Sequence, residues 1–184
     1  AVTFDYYVGV SGTNIAIESS SSDEDACILT APSTAVADDV MFYVGPGGAL
    51  SLKEVTIDPT SGASAEDEVN AVAAVSGNVF MDTVDISNVK TGVTIYGGFC
   101  VTDTLILDTG TNGIVVGMGG TFLGATTSID GFTTGAQAAT AGRLALSGTT
   151  TLGTNTADYG TTDGEIQYDG AYVTDGNAAM TLKA

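Results

Sequence analysis

The sequence has no histidine and no tryptophan, and only four Lys+Arg stand against 22 Asp+Glu, for a formal net charge of −18. Each shortage removes a class of function. Without histidine, acyl transfer and general acid–base chemistry lose their usual base near neutral pH. Four scattered cations cannot release counterions along a phosphate backbone, which excludes direct nucleic-acid binding. Charged residues make up 14% of the chain, against about 25% in ordinary soluble proteins. The imbalance therefore reflects missing bases and not surplus acids. No apolar run reaches the about 18 residues that a membrane-spanning helix needs. The opening residues, Ala1 to Tyr7, carry no basic stretch of the kind that starts a signal peptide, and they read as the mature end of the chain.

What is present is material for strands and turns. Hydrophobic residues supply 43% of the chain, there are 25 glycines, and Thr, Ala and Val are abundant. Thr and Val suit pleated strands, and Gly suits the turns between them. Phe4, Tyr6, Val8 and Val10 alternate with Thr3, Asp5, Tyr7 and Gly9, the period of a half-buried strand. A phase slip between Leu50-Ser51-Leu52 and Val55-Thr56-Ile57 predicts a bulge. The one helical signal lies over 65–75, capped by Ser64 with Asp67 three residues on. Asn112-Gly113, Asp130-Gly131, Asp163-Gly164, Asp169-Gly170 and Asp175-Gly176 predict tight hairpins.

With no linker in sight, residues 1–184 form one domain. The expectation is an all-β, single jelly-roll sandwich or barrel with one short loop helix. A β-solenoid is the alternative, favoured by the Gly-rich stretch over 93–129. It would need a repeat of about 20–25 residues, and no apolar register is visible beyond two turns.

Site chemistry is sparse. Gly117-Met118-Gly119-Gly120 lacks the spacing of a phosphate loop and reads as a tight turn between strands. No base or nucleophile pairing singles out a catalytic residue, so no enzyme and no organic cofactor is expected. Carboxylate clusters leave Ca²⁺ or another structural cation as the one candidate ligand. Asp23, Glu24 and Asp25 form one such group, and Asp158 and Asp163 flank another; neither matches an EF-hand loop. Cys27 and Cys100 sit in apolar, strand-like surroundings, as two buried thiols or as partners in a disulfide within or between chains. The aromatic residues cluster in the first 100 positions and read as core, with Tyr7 and Tyr43 as candidate outward anchors of a subunit interface.

An acidic surface nearly free of lysine suits brine, where self-repulsion is screened over about 3 Å at 1 M salt. In length, composition and strand content, including the opening strand over 1–10, the chain resembles the smaller major capsid protein of haloarchaeal icosahedral viruses with an internal membrane. That resemblance implies an upright jelly roll packed into capsomers of a virion shell, in an extracellular high-salt environment. It implies as partners further copies of the chain, a second related capsid protein and membrane proteins of the virion. Three other readings stand beside it: a solenoidal virion decoration or tail spike, a filament-forming surface protein built by strand addition, and a carbohydrate-binding β-sandwich, which the absence of tryptophan disfavours.

Overall fold

In the computed structural model, residues 2–3, 7–21, 27–31, 39–59 and 69–174 are described, with backbone alone for 2–3 and 168–174. Thirteen strands join in one sheet. The short early strands are β1 (Val2–Thr3), β2 (Val8–Val10), β3 (Asn14–Glu18), β4 (Ile28–Thr30), β5 (Val40–Val44), β6 (Ala49–Ile57) and β7 (Asn70–Val75). Three strands of 19 residues follow: β8 (Asn78–Tyr96), β9 (Phe99–Gly117) and β10 (Thr121–Ala139). The chain closes with β11 (Arg143–Leu152), β12 (Ala157–Thr162) and β13 (Glu165–Thr174).

Every pairing between these strands is parallel. A jelly roll is antiparallel, so the parallel ladder does not fit that expectation. The chain instead coils, each turn laid in register on the one before. Val8, Phe42, Val72, Val93, Ile114, Ala136 and Tyr159 stack in one such column. Asn14, Ala49, Asn78, Phe99, Thr121, Arg143 and Glu165 stack in a second. The third runs Leu29, Ile57, Ile86, Leu107, Ile129 and Leu152. This is the solenoid alternative, with a repeat of 21 to 23 residues from Asn78 onward.

Each turn has three faces. The long strands bend from one to the next at residues with positive φ, such as Thr83 and Asn88 in β8 and Thr109 in β9. Glu54, at φ 52, is the phase slip seen in the sequence: the chain there turns a corner. Gly131 at φ 71 and Asp163 at φ 56 make corners too, so the Asp-Gly pairs near them turn the coil without reversing the chain. Asn112-Gly113 and Asp169-Gly170 lie inside β9 and β13, and Asp175-Gly176 is outside the described residues. The hairpin expectation is corrected on this point; one isolated antiparallel bridge, Ala139 to Asp163, is present. The helix expected over 65–75 is a strand across Asn70–Val75, with its earlier part outside the described residues. Val72 is claimed there by Phe42 on one side and Val93 on the other, and ladder bonding outweighs local capping propensity. The tight turn at Met118-Gly119 between β9 and β10 is as expected.

The apolar core is the axis of the coil. Ile57, Ile86, Leu107, Ile129 and Leu152 are fully buried. Ile15, Leu50, Val79, Cys100, Phe122, Leu144 and Ile166 form a second inward column. Close stacking also fixes some glycines. A Cβ on Gly110 would lie 2.0 Å from the Val89 carbonyl oxygen of the turn beneath and 2.7 Å from the Phe132 ring.

Candidate functional site

The acids singled out in the sequence do not converge on a cation site. Asp23, Glu24 and Asp25 lie outside the described residues. Asp158 is buried on β12, and Asp163 is exposed at the corner that follows. Among the described residues, no three His, Cys, Asp or Glu side chains form a group able to hold a metal ion.

Asp158 belongs instead to a polar latch. Between β11 and β12 the N–H groups of Gly153 and Thr156 still donate to the Ile129 and Phe132 carbonyls of the turn before, and the side chain of Asn155 bridges the gap between them. Its Nδ2 donates to the Ile129 carbonyl at 3.0 Å, and its Oδ1 accepts from the Phe132 N–H at 3.0 Å. Nδ2 also reaches Asp158 Oδ1 at 3.3 Å. Outside this corner, Asp130 accepts from the backbone N–H of Thr154 and, at 2.8 Å, from its hydroxyl. The Thr154 N–H first, then the Thr154 hydroxyl, hold the Asp130 carboxyl below the usual carboxylate range. Composition gave no signal for this latch, because an Asn-Thr-Ala-Asp stretch reads as a loop.

Both cysteines are free thiols. Cys100 is fully buried in the axis between Val79 and Phe122, and burial pushes its pKa up. Cys27 is half-buried at the start of a different face, where its carbonyl accepts from the Thr56 N–H.

The two ends of the coil differ from its middle. β1, β2 and β3 at one end, and β12 and β13 at the other, each pair along one side among the described residues. Of the partly buried apolar residues packed against the core, Tyr7, Val8, Ile15 and Ile17 lie at one end and Ile166 at the other, with Cys27 just before β4. Of the two tyrosines marked as outward anchors, Tyr43 is 42% exposed and Tyr7 is half-buried against the core.

Tyr43 borders an open groove of about 490 Å³ on the outside of the face built by β5, β7 and the second halves of β8, β9 and β10. Asn70, Lys90, Tyr96, Asn112 and Gln137 also line it. The one ion pair among the described residues, Lys53 to Glu18 at 3.2 Å, is on another face. No helix of the described residues is long and apolar enough to cross a membrane. No protein-family model, curated protein or solved structure matches the chain.

Proposed function

We infer that the chain is a structural module and not a catalyst: a stretch of rigid solenoid that assembles with copies of itself at an outer surface in a salty medium, as a spike, decoration or filament. The observation that carries this reading is that, among the described residues, the strands at each end of the coil pair along one side only. A solenoid is stabilised by nearest-neighbour stacking, and its terminal turns need a polar cap or a further turn to cover the axis. Here, among the described residues, the strands of both terminal turns pair along one side only, with half-covered aliphatic side chains behind them. Either end would accept another parallel turn, in the same chain or in a second copy, by strand addition. The capsid-shell expectation shares the acidic composition and the high-salt setting. It leans on jelly-roll side walls, however, and the parallel coil offers no counterpart to them.

The experiment is electron microscopy of the purified chain in molar NaCl, with a matched low-salt sample. Seven stacked turns at about 4.8 Å per turn give one copy an axial length of about 30 Å. Rods well beyond that length, lost on Ile17→Lys or Ile166→Lys, are the expected result. Shells or capsomer rings would restore the capsid reading. Single particles at every concentration and salt level would refute assembly through the ends.

A further inference from the structure

We propose that the groove beside Tyr43 binds an extended neutral saccharide chain. The argument begins with what the coil does to spacing. In-register stacking repeats each outward position along the axis about every 4.8 Å, a step comparable to the length of one pyranose ring. One column at the groove runs Asn70, Thr91 and Asn112, of which Thr91 is buried and Asn70 donates to the Asp39 carbonyl, and a neighbouring one runs Tyr43, Ala73, Thr94, Val115, Gln137. The groove crosses five successive turns, with Tyr43 on its first strand and Tyr96 on its third, and the amides of Asn112 and Gln137 on the two turns beyond Tyr96. Tyr43 and Tyr96 lie two turns apart, about 10 Å along the axis. The small side chain of Ala73, opposite Tyr43 on the next turn, keeps the floor between them low.

Each part fits one feature of a sugar. The apolar ring of a tyrosine stacks on the C–H face of a pyranose, while its hydroxyl stays at the wet rim. An amide offers a donor and an acceptor side by side, which suits a pair of neighbouring ring hydroxyls. Asn112 and Gln137 are half-exposed, and their amides face the groove with no partner among the described residues.

The same facts argue against other occupants. The backbone of this face is committed to the ladder between turns, so an extended peptide cannot add to it as a strand. With a net charge of −18 and Lys90 as the one cation lining the groove, a polyanion is repelled. The volume lies within the about 300–1,000 Å³ usual for ligand sites. The lack of tryptophan, which spoke against sugar binding in the sequence, is met by two tyrosines that the fold brings to one face. The inference does not depend on assembly through the ends.

The test is isothermal titration of the whole chain, in molar NaCl, with a panel of neutral hexasaccharides (glucan, mannan, xylan and galactan) and one acidic hexasaccharide. At least one neutral member should bind, and Tyr43→Ala and Tyr96→Ala should each weaken it at least tenfold. Gln137→Ala should weaken it several-fold, and Phe80→Ala on another face should leave it unchanged. Circular dichroism of each variant checks that the coil is intact. No neutral binding at millimolar concentration, preference for the acidic sugar, or indifference to both tyrosine variants in a folded protein would each overturn the proposal.

Discussion

Truncating Leu107 should damage the molecule far more than truncating Ile17, although both are aliphatic residues facing the axis. Leu107 is fully buried, with Ile86 stacked on one side and Ile129 on the other. Leu107→Ala removes packed atoms from between two rigid neighbours, and the ladder bonds of both adjoining turns prevent the gap from closing. Comparable buried truncations cost about 2–5 kcal/mol, and the upper half of that range is expected here. Ile17 has Leu52 on one side and, among the described residues, no turn stacked on the other. It is only half-buried, so Ile17→Ala forfeits roughly half the burial term, about 1–2 kcal/mol. Urea unfolding followed by far-ultraviolet circular dichroism in molar NaCl reads both values. Leu107→Ala should in addition broaden or split the transition, because it weakens one link in a one-dimensional stack. Equal costs for the two variants, or a loss below about 1 kcal/mol at Leu107, would refute the axial-core account.

Gly110→Ala should be among the most destabilising single-methyl changes in the chain. Its new carbon meets the Val89 carbonyl at 2.0 Å, and thermal melts should show a loss on the scale of overpacked cores, about 1–3 kcal/mol. Asn155→Leu strips the partner from the buried Phe132 N–H, while the Ile129 carbonyl keeps its bond from the Gly153 N–H; the orphaned donor should cost about 1–3 kcal/mol, and amide exchange at Phe132 should accelerate sharply. In the native state a thiol reagent should modify Cys27 within the time that Cys100 stays silent, with Cys100 reacting once urea opens the axis, since it is buried and its thiolate disfavoured. Asp130, whose folded pKa lies below its unfolded one, adds stability at neutral pH that disappears as the pH falls through the folded value. Asp130→Asn should therefore melt below wild type at neutral pH and approach it in strong acid, once the pH has fallen through the lowered folded value.

Strand content was legible because Thr, Val and Gly settle it residue by residue. The repeat was not, and three causes can be named. Its early steps are irregular: Asn14 to Ala49 spans 35 residues and Ala49 to Asn78 spans 29, before the step settles at 21 to 23. Inward positions are also taken by threonine. Thr102, Thr127 and Thr150 are buried and, among the described residues, their hydroxyls have no partner, so they read as polar where the fold uses them as core. Finally, corner residues such as Glu54, Thr83 and Asn88 accept positive φ without being glycine, which hides the punctuation that turn chemistry predicts. Asp-Gly pairs were correctly read as tolerant of that conformation, but a corner and a hairpin make the same local demand. Only long-range register separates them. The groove was hidden for the same reason: Tyr43, Asn112 and Gln137, on turns well apart, share one face solely because of that register.

The same register gives the acidic composition its meaning. A parallel stack sets each residue directly over its counterpart, so like charges meet along a column. Asp108 and Asp130 are such a pair, one turn apart. At about 5 Å in water their repulsion is about 0.8 kcal/mol. Each carboxylate takes a hydroxyl donor in compensation: Thr109 on Asp108 at 2.9 Å, Thr154 on Asp130 at 2.8 Å. Basic residues would serve as well, yet among the described residues one ion pair is formed, and it is exposed, where such a pair contributes little. The coil thus rests on backbone ladders and axial packing, neither of which salt weakens, while salt at 1 M screens charge repulsion beyond about 3 Å. We therefore predict that stability rises with salt: melting temperature should increase with NaCl concentration, and a fall in brine would refute this account. That prediction stands on the stacking of the coil and not on the acid count alone.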